Sequence, residues 1–167
     1  MRRALLLIML LFLSVCSNAQ LTTKKHKHAT AEHKAAGVDA ALLQKVWDAW
    51  CTLDAANAAK YYDAAPGNVF FDITPLAYHG WSEYEKGVKP VLAGFKSASA
   101  KLDDIRVHPA GNAYWATAIV HMAYETKDGA SVKGDWRYTS VWEKRGGEWR
   151  IVHDHASVPL PSEEKKK

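Results

Sequence analysis

The residues best suited to moving a proton gather in the last two strand-like segments, with one further acidic candidate upstream. Along residues 148–157, period-two alternation places Trp149, Ile151, His153, His155 and Ser157 on one face and Arg150, Val152 and Asp154 on the other. In the segment before it, Arg137, Thr139, Val141 and Glu143 share a face. The faces bearing Arg137, Thr139, His153 and His155 are taken to line an internal pocket. An arginine there offers a fixed fork of donors for a carboxylate or enolate oxygen. A histidine beside it can transfer a proton near neutral pH. Arg137 and His155 also have a purely structural reading, bonded to neighbours or backbone. Asp72, which follows the apolar run Val69-Phe70-Phe71 and precedes Pro75, is either a base or a local cap.

His153 and His155 stand two apart and could pinch a metal, with His79 and His121 joining them. Spacing alone does not define a ligand set, so no metal is expected. Trp81, Trp47, Trp115 and Tyr114 either wall an aromatic pocket or belong to the core. The chain has no phosphate loop, Gly-x-Ser-x-Gly elbow or His-Glu-x-x-His helix, which argues against nucleotide-dependent and serine-hydrolase chemistry.

These residues need a scaffold, and the hydrophobic period supplies one. Leu42, Leu43, Val46, Trp47, Trp50 and Leu53 recur at three- and four-residue spacing, predicting a first helix that starts near Asp39. A short second helix through Tyr62, a Pro66-Gly67-Asn68 turn and a strand over 69–73 follow. A third helix is predicted over 81–95, capped by Ser82 and kinked or broken at Pro90. After Ala100 the period becomes two. Strands are predicted over 102–108, 113–126, 131–144 and 148–157, with turns at Pro109-Ala110-Gly111-Asn112, Asp128-Gly129 and Arg145-Gly146-Gly147. This order describes an α+β domain. Strands of such length must twist and bend, and helices on the concave side would leave a pocket at the open end.

The ends of the chain differ in character. Arg2 and Arg3 precede the apolar run Ala4–Leu13, and Ser17-Asn18-Ala19 offers a cleavage site before Gln20. Residues 1–19 therefore read as a secretory signal peptide, with a lipoprotein box at Cys16 as the rival. Residues 20–37 read as a flexible basic linker, 38–160 as the single folded domain and 161–167 as a disordered tail. Formal net charge is +4, but the surplus sits in Lys24–Lys34 and Lys165–Lys167. The domain lacks a basic stripe interleaved with aromatics, so nucleic acid is not an expected partner. Cleavage would leave Cys51 as the one cysteine, excluding an internal disulfide.

The run from Trp136 to Trp142, the run Gly147-Glu148-Trp149-Arg150-Ile151-Val152-His153-Asp154-His155-Ala156-Ser157-Val158-Pro159, and the segment from Asp72 to Trp81 resemble SnoaL-like proteins of the nuclear-transport-factor-2-like group, related to ketosteroid isomerases. The resemblance spans about 38–160. It implies a cone-shaped, cystatin-like α+β fold, with about three N-terminal helices packed on a strongly curved, mostly antiparallel sheet. It further implies a homodimer through the sheet and no cofactor. Asp72 falls about where ketosteroid isomerases place their catalytic aspartate, a system that serves as a standard illustration of an Asp base facing an oxyanion hole. Those enzymes complete the hole with a first-helix tyrosine. Here the stretch holds Ala49 and Trp50, leaving Tyr61 or Tyr78 as substitutes.

Two functions follow from this reading. One is an exported, cofactor-free isomerase or cyclase that holds a small, largely apolar carbonyl compound. Asp72 or His155 would abstract the proton, Arg137 or Tyr78 would steady the enolate, and Tyr61, Trp81, His121, Thr139 and His153 would line the site. The other is a non-catalytic ligand-binding or association module of the cell envelope.

Overall fold

The computed structural model describes residues 37–160 apart from residue 74. The expected signal peptide, most of the linker and the tail lie outside these residues. The element order is α1 (Ala40–Trp50), α2 (Ala55–Ala59), β1 (Val69–Phe71), β2 (Tyr78–His79), α3 (Trp81–Leu92), β3 (Phe95–Ala110), β4 (Ala113–Thr126), β5 (Ser131–Arg145) and β6 (Glu148–Ser157).

Asp39 starts α1, its carboxylate accepting from the Leu42 amide at 2.8 Å and satisfying one orphan donor of the first turn. The stripe read from the sequence is the buried one: Leu43, Val46 and Trp47 face the core. Leu53, in the left-handed region at φ 62, turns the chain from α1 toward α2. The second helix stops at Ala59, before Tyr62. α3 is capped at Gly80, two residues before the expected serine cap, and the φ of 77 there suits a residue without a Cβ. Pro90 lies in its last turn and the helix closes at Leu92. Phe95, expected to end that helix, instead begins the 16-residue β3.

All six strands join one sheet in the order β2-β1-β6-β5-β4-β3. β1 runs parallel to β6 and the other neighbours are antiparallel. The expectation of a cone on a strongly curved sheet is not met: the sheet is open and mixed. Its edges, β2 and β3, do not meet. The central β4–β5 ladder runs from Ala113↔Glu143 to Glu125↔Ser131 without a register shift, so nothing there bends it sharply. Bulges interrupt only the flanking ladders, at 95/97 and 103/106 in β3 and opposite 141/142 in β6.

The bulge in β6 decides which face its side chains take. Val141 pairs with His153 but Trp142 pairs with Ile151, so Val152 is the extra residue. Ile151 and Asp154, three apart, consequently both point into the core, opposite the buried Trp142 and Ser140. On β5 the core-facing residues are Tyr138, Ser140 and Trp142; on β4 they are Ala116, Ala118 and Val120.

Tyr78 of β2 is buried and stacks on Tyr84 at 4.9 Å. It presses on Gly87 of α3, where any Cβ would overlap the Tyr78 ring. Gly87→Ala should therefore lower stability by about 1–3 kcal/mol, although alanine is the better helix former. A urea-unfolding midpoint at or above wild type would show that the ring can yield.

Candidate functional site

A cavity of about 250 Å³ opens between the helices and the inner face of the sheet. Trp47 and Trp50 of α1 and Tyr84 and Val88 of α3 wall one side. Met122 and Tyr124 of β4, Trp136 and Tyr138 of β5, and Asp154 of β6 wall the other. Asp72, just past β1, closes an end.

Asp154 is the polar centre of this cavity. It is 3% exposed. Its Oδ2 accepts from the Tyr62 hydroxyl at 2.7 Å, and that oxygen accepts from Trp50 Nε1 at 3.0 Å. Tyr62 is fixed from both sides. Backbone bonds clamp the chain around it to the bulge strand, with the Ile151 amide donating to the Tyr61 carbonyl at 2.7 Å and the Asp63 amide to the Ile151 carbonyl at 2.9 Å. Its ring stacks on Trp81 at 4.7 Å and meets Phe70 edge-on at 5.4 Å.

Among the described residues, three buried side-chain polar atoms have no hydrogen-bond partner: Asp154 Oδ1, the Tyr138 hydroxyl and Trp47 Nε1. All belong to residues that line the cavity. The Tyr138 hydroxyl lies near Tyr62 and Ser140 without a well-formed bond to either. Each such atom costs about 1–3 kcal/mol when left unpaired, and three together around one space is the pattern of a binding site.

Burial pushes the Asp154 carboxyl up to about 7, against the pull of the Tyr62 bond, with the Asp72 charge adding to the rise. Burial also raises Asp72, while the Ile73 amide on its Oδ1 at 2.7 Å works the other way. Tyr62, Tyr84 and Tyr138 are held well above the phenol range by burial and by the Asp154 charge, so all three are neutral donors at physiological pH.

Of the residues singled out in the sequence, Asp72 and the wall candidate Trp47 line the cavity and the others do not. Arg137, Thr139, His153 and His155 do share one face, with Thr139 opposite His155 and Val141 opposite His153. That face points away from the cavity, because the Val152 bulge inverts the alternation that Trp149 and Ile151 suggest. Arg137 and His155 are exposed, and His155 lines a shallow hollow with Phe71, Leu76 and Val158 that adjoins the cavity at Asp72, Ile73 and Ala156. His153 Nδ1 bonds the Val69 carbonyl at 2.7 Å, tying β6 to β1. His121 is exposed on the same outer face, with Asp135 at 2.7 Å and Asp103 at 3.7 Å, and both raise its pKa. Tyr78 and Trp81 are core residues behind the wall, and Tyr61, beside Lys60, points out while Tyr62 points in. Among the described residues no group of three or more His, Cys, Asp and Glu side chains could hold a metal ion.

Asp154 and Tyr62 were missed in the sequence reading. The signal for the correct face was the aromatic set Trp136, Tyr138 and Trp142, which marks the inner side of β5 and leaves Arg137 outside.

An α+β domain with a largely apolar cavity between helices and sheet is the class this structure defines. The chain belongs to the SnoaL-like domain family, whose model matches residues 40–161. No curated protein matches it. Solved structures share the fold. A nuclear-transport-factor-2-like protein of unknown function from Pseudomonas putida is 25% identical over 74% of this chain and 85% of its own, with a TM-score of 0.62. A protein provisionally named a ketosteroid isomerase, from Shewanella frigidimarina, is 20% identical over 69% of this chain and 90% of its own, at 0.58. The association domain of C. elegans CaMKII is 19% identical over 71% and 91%, also at 0.58.

Because Asp154 binds its proton more tightly when folded than unfolded, stability should fall as pH rises from about 4 through about 7. Asp154→Asn should remove most of that loss, raising stability at pH 8 by a few kcal/mol while changing little at pH 4. Denaturant melts of both proteins across this range check the sign; parallel pH profiles would show that Asp154 titrates normally.

Proposed function

We propose that the cavity binds a small, largely apolar molecule and that Asp154 moves a proton next to its carbonyl, as a cofactor-free isomerase or cyclase would. The single observation that carries this reading is a buried carboxyl, poised near neutral pH, hydrogen-bonded to Tyr62 inside a largely apolar cavity. A carboxyl with that affinity for its proton is a useful base and, once protonated, a useful acid. Tyr138 and Trp47 supply unpaired donors for the oxygen that gains charge. Asp72, which also lines the cavity, is the second acid–base candidate. Arg137 and His155, which face away, take no part. The volume suits one ring with substituents: a cavity of about 150 Å³ accommodates benzene. A steroid is too large to be enclosed.

The expected role as an association module keeps one supporting observation. The outer sheet face carries the part-exposed Phe71 and Trp115 on the same side as Arg137 and His155, and a homodimer through that face is compatible with the inner cavity. No helix among the described residues is long and apolar enough to cross a membrane. Export through removal of residues 1–19 remains part of the proposal.

Proton abstraction can be read without knowing the substrate. Incubated in D₂O with small cyclic ketones, the protein should speed exchange of the hydrogens next to the carbonyl, followed by NMR. Asp154→Asn should cut that rate by about 100-fold or more and Tyr62→Phe by less. Ketones that raise the melting temperature without any exchange above buffer would leave binding and refute catalysis.

A further inference from the structure

The cavity holds an unbalanced set of charges. Two carboxyls, Asp154 and Asp72, line it. Every other titratable side chain that lines it is a phenol: Tyr62 after α2, Tyr84 on α3, Tyr124 on β4 and Tyr138 on β5. None of the described lining residues is Lys, Arg or His. Asp154 Oδ1 is buried and unpaired. The remaining walls mix aliphatic side chains with ring surfaces, among them Trp47, which meets Tyr138 edge-on at 5.2 Å and Trp136 at 6.0 Å.

We infer that the molecule held here carries a protonated amine, which docks its N–H on Asp154 Oδ1 among the aromatic walls, and that organic acids are excluded. This rests on the reading of the cavity as a small-molecule site and names the class of that molecule.

The physical case has three parts. An ammonium supplies the donor that Oδ1 lacks, and a charge-assisted bond is about twice as strong as a neutral one. Indole and phenol faces attract a desolvated cation, worth about 2 kcal/mol where water is excluded. An anion would meet two carboxyls and no compensating charge, in a space where burial already disfavours ionisation. Trp47 Nε1 and the Tyr138 hydroxyl are then left to donate to a carbonyl or hydroxyl on the same ligand. The amine also helps the proposed chemistry, because a cation beside Asp154 favours the carboxylate, the form that accepts a proton.

The charge preference fixes a sign for the pH dependence. An ammonium selects ionised Asp154, so affinity climbs as pH rises through the titration of that group. A neutral acceptor selects the protonated acid, and its affinity falls instead.

The test uses three ring compounds of matched shape: benzylamine, benzyl alcohol and benzoate. Binding to the full domain is measured by titration calorimetry at about pH 6 and about pH 8, where the alkylammonium stays largely charged. Benzylamine should bind at least about tenfold more tightly than benzyl alcohol at the higher pH, gain about tenfold between the two pH values, and release protons from the protein. Benzoate should not bind. Asp154→Asn should abolish the amine preference while leaving benzyl alcohol within about threefold. Because the pH series needs no variant, a misfolded Asp154→Asn would not rescue the idea. Benzyl alcohol matching benzylamine, or benzoate binding, would overturn the amine assignment and leave the cavity reading intact. If no probe binds while the protein melts cooperatively, both fail.

Discussion

The arrangement of this domain depends on keeping one carboxyl dry. Asp154 sits under two helices, bonded through Tyr62 to Trp50, and each partner comes from a different stretch of chain. Removing a carboxylate from water is costly, and a single phenol does not offset it fully. The domain absorbs that cost with an aromatic core that few neighbouring substitutions could reproduce. Tyr62, Phe70, Trp81 and Tyr84 interlock by stacked and edge-on contacts. Such rings hold the hydroxyl of Tyr62 in place without closing off the space beside Asp154. Stability sacrificed at one buried acid and recovered in surrounding packing is the usual signature of a site that does something.

Much of the scaffold was legible in the sequence because its signals are local. The α1 stripe, the three hairpin-linked strands and their glycine turns follow from period and turn chemistry that no distant contact overrides. The β4 bounds agree to the residue, as do those of β6. Sheet shape was not legible. Long strands imply twist, but how far a sheet bends depends on where its bulges fall and on whether its edges meet. Here the central ladder is unbroken and β1 enters in parallel, which hydrophobic alternation does not encode.

The site was half legible for a related reason. Asp72 could be found because it ends an apolar run. Arg137, Thr139, His153 and His155 were correctly grouped on one face, but that face was assigned to the wrong side. Parity is reliable only between bulges, and one extra residue at Val152 separates the half of β6 anchored by Ile151 from the half carrying Asp154. Tyr61 and Tyr62 pose the same difficulty in miniature. Adjacent tyrosines outside regular structure have no period to choose between them, and backbone bonds to Ile151 make the choice.

The extra residue in β6 has an evolutionary corollary. Along that strand the inner and outer faces carry different reactive groups, an acid within and two imidazoles without. A substitution changes one of them at a time. Loss of Val152 would leave a regular ladder in which Ile151 and Asp154 stand two apart and still point inward, with His153 and His155 still outside. One residue can therefore leave the strand at the bulge without exchanging the acid for an imidazole, whereas a one-residue change elsewhere in the strand would turn the residues beyond it over. In this architecture the bulge acts as a buffer that protects the chamber's chemistry from changes in strand length.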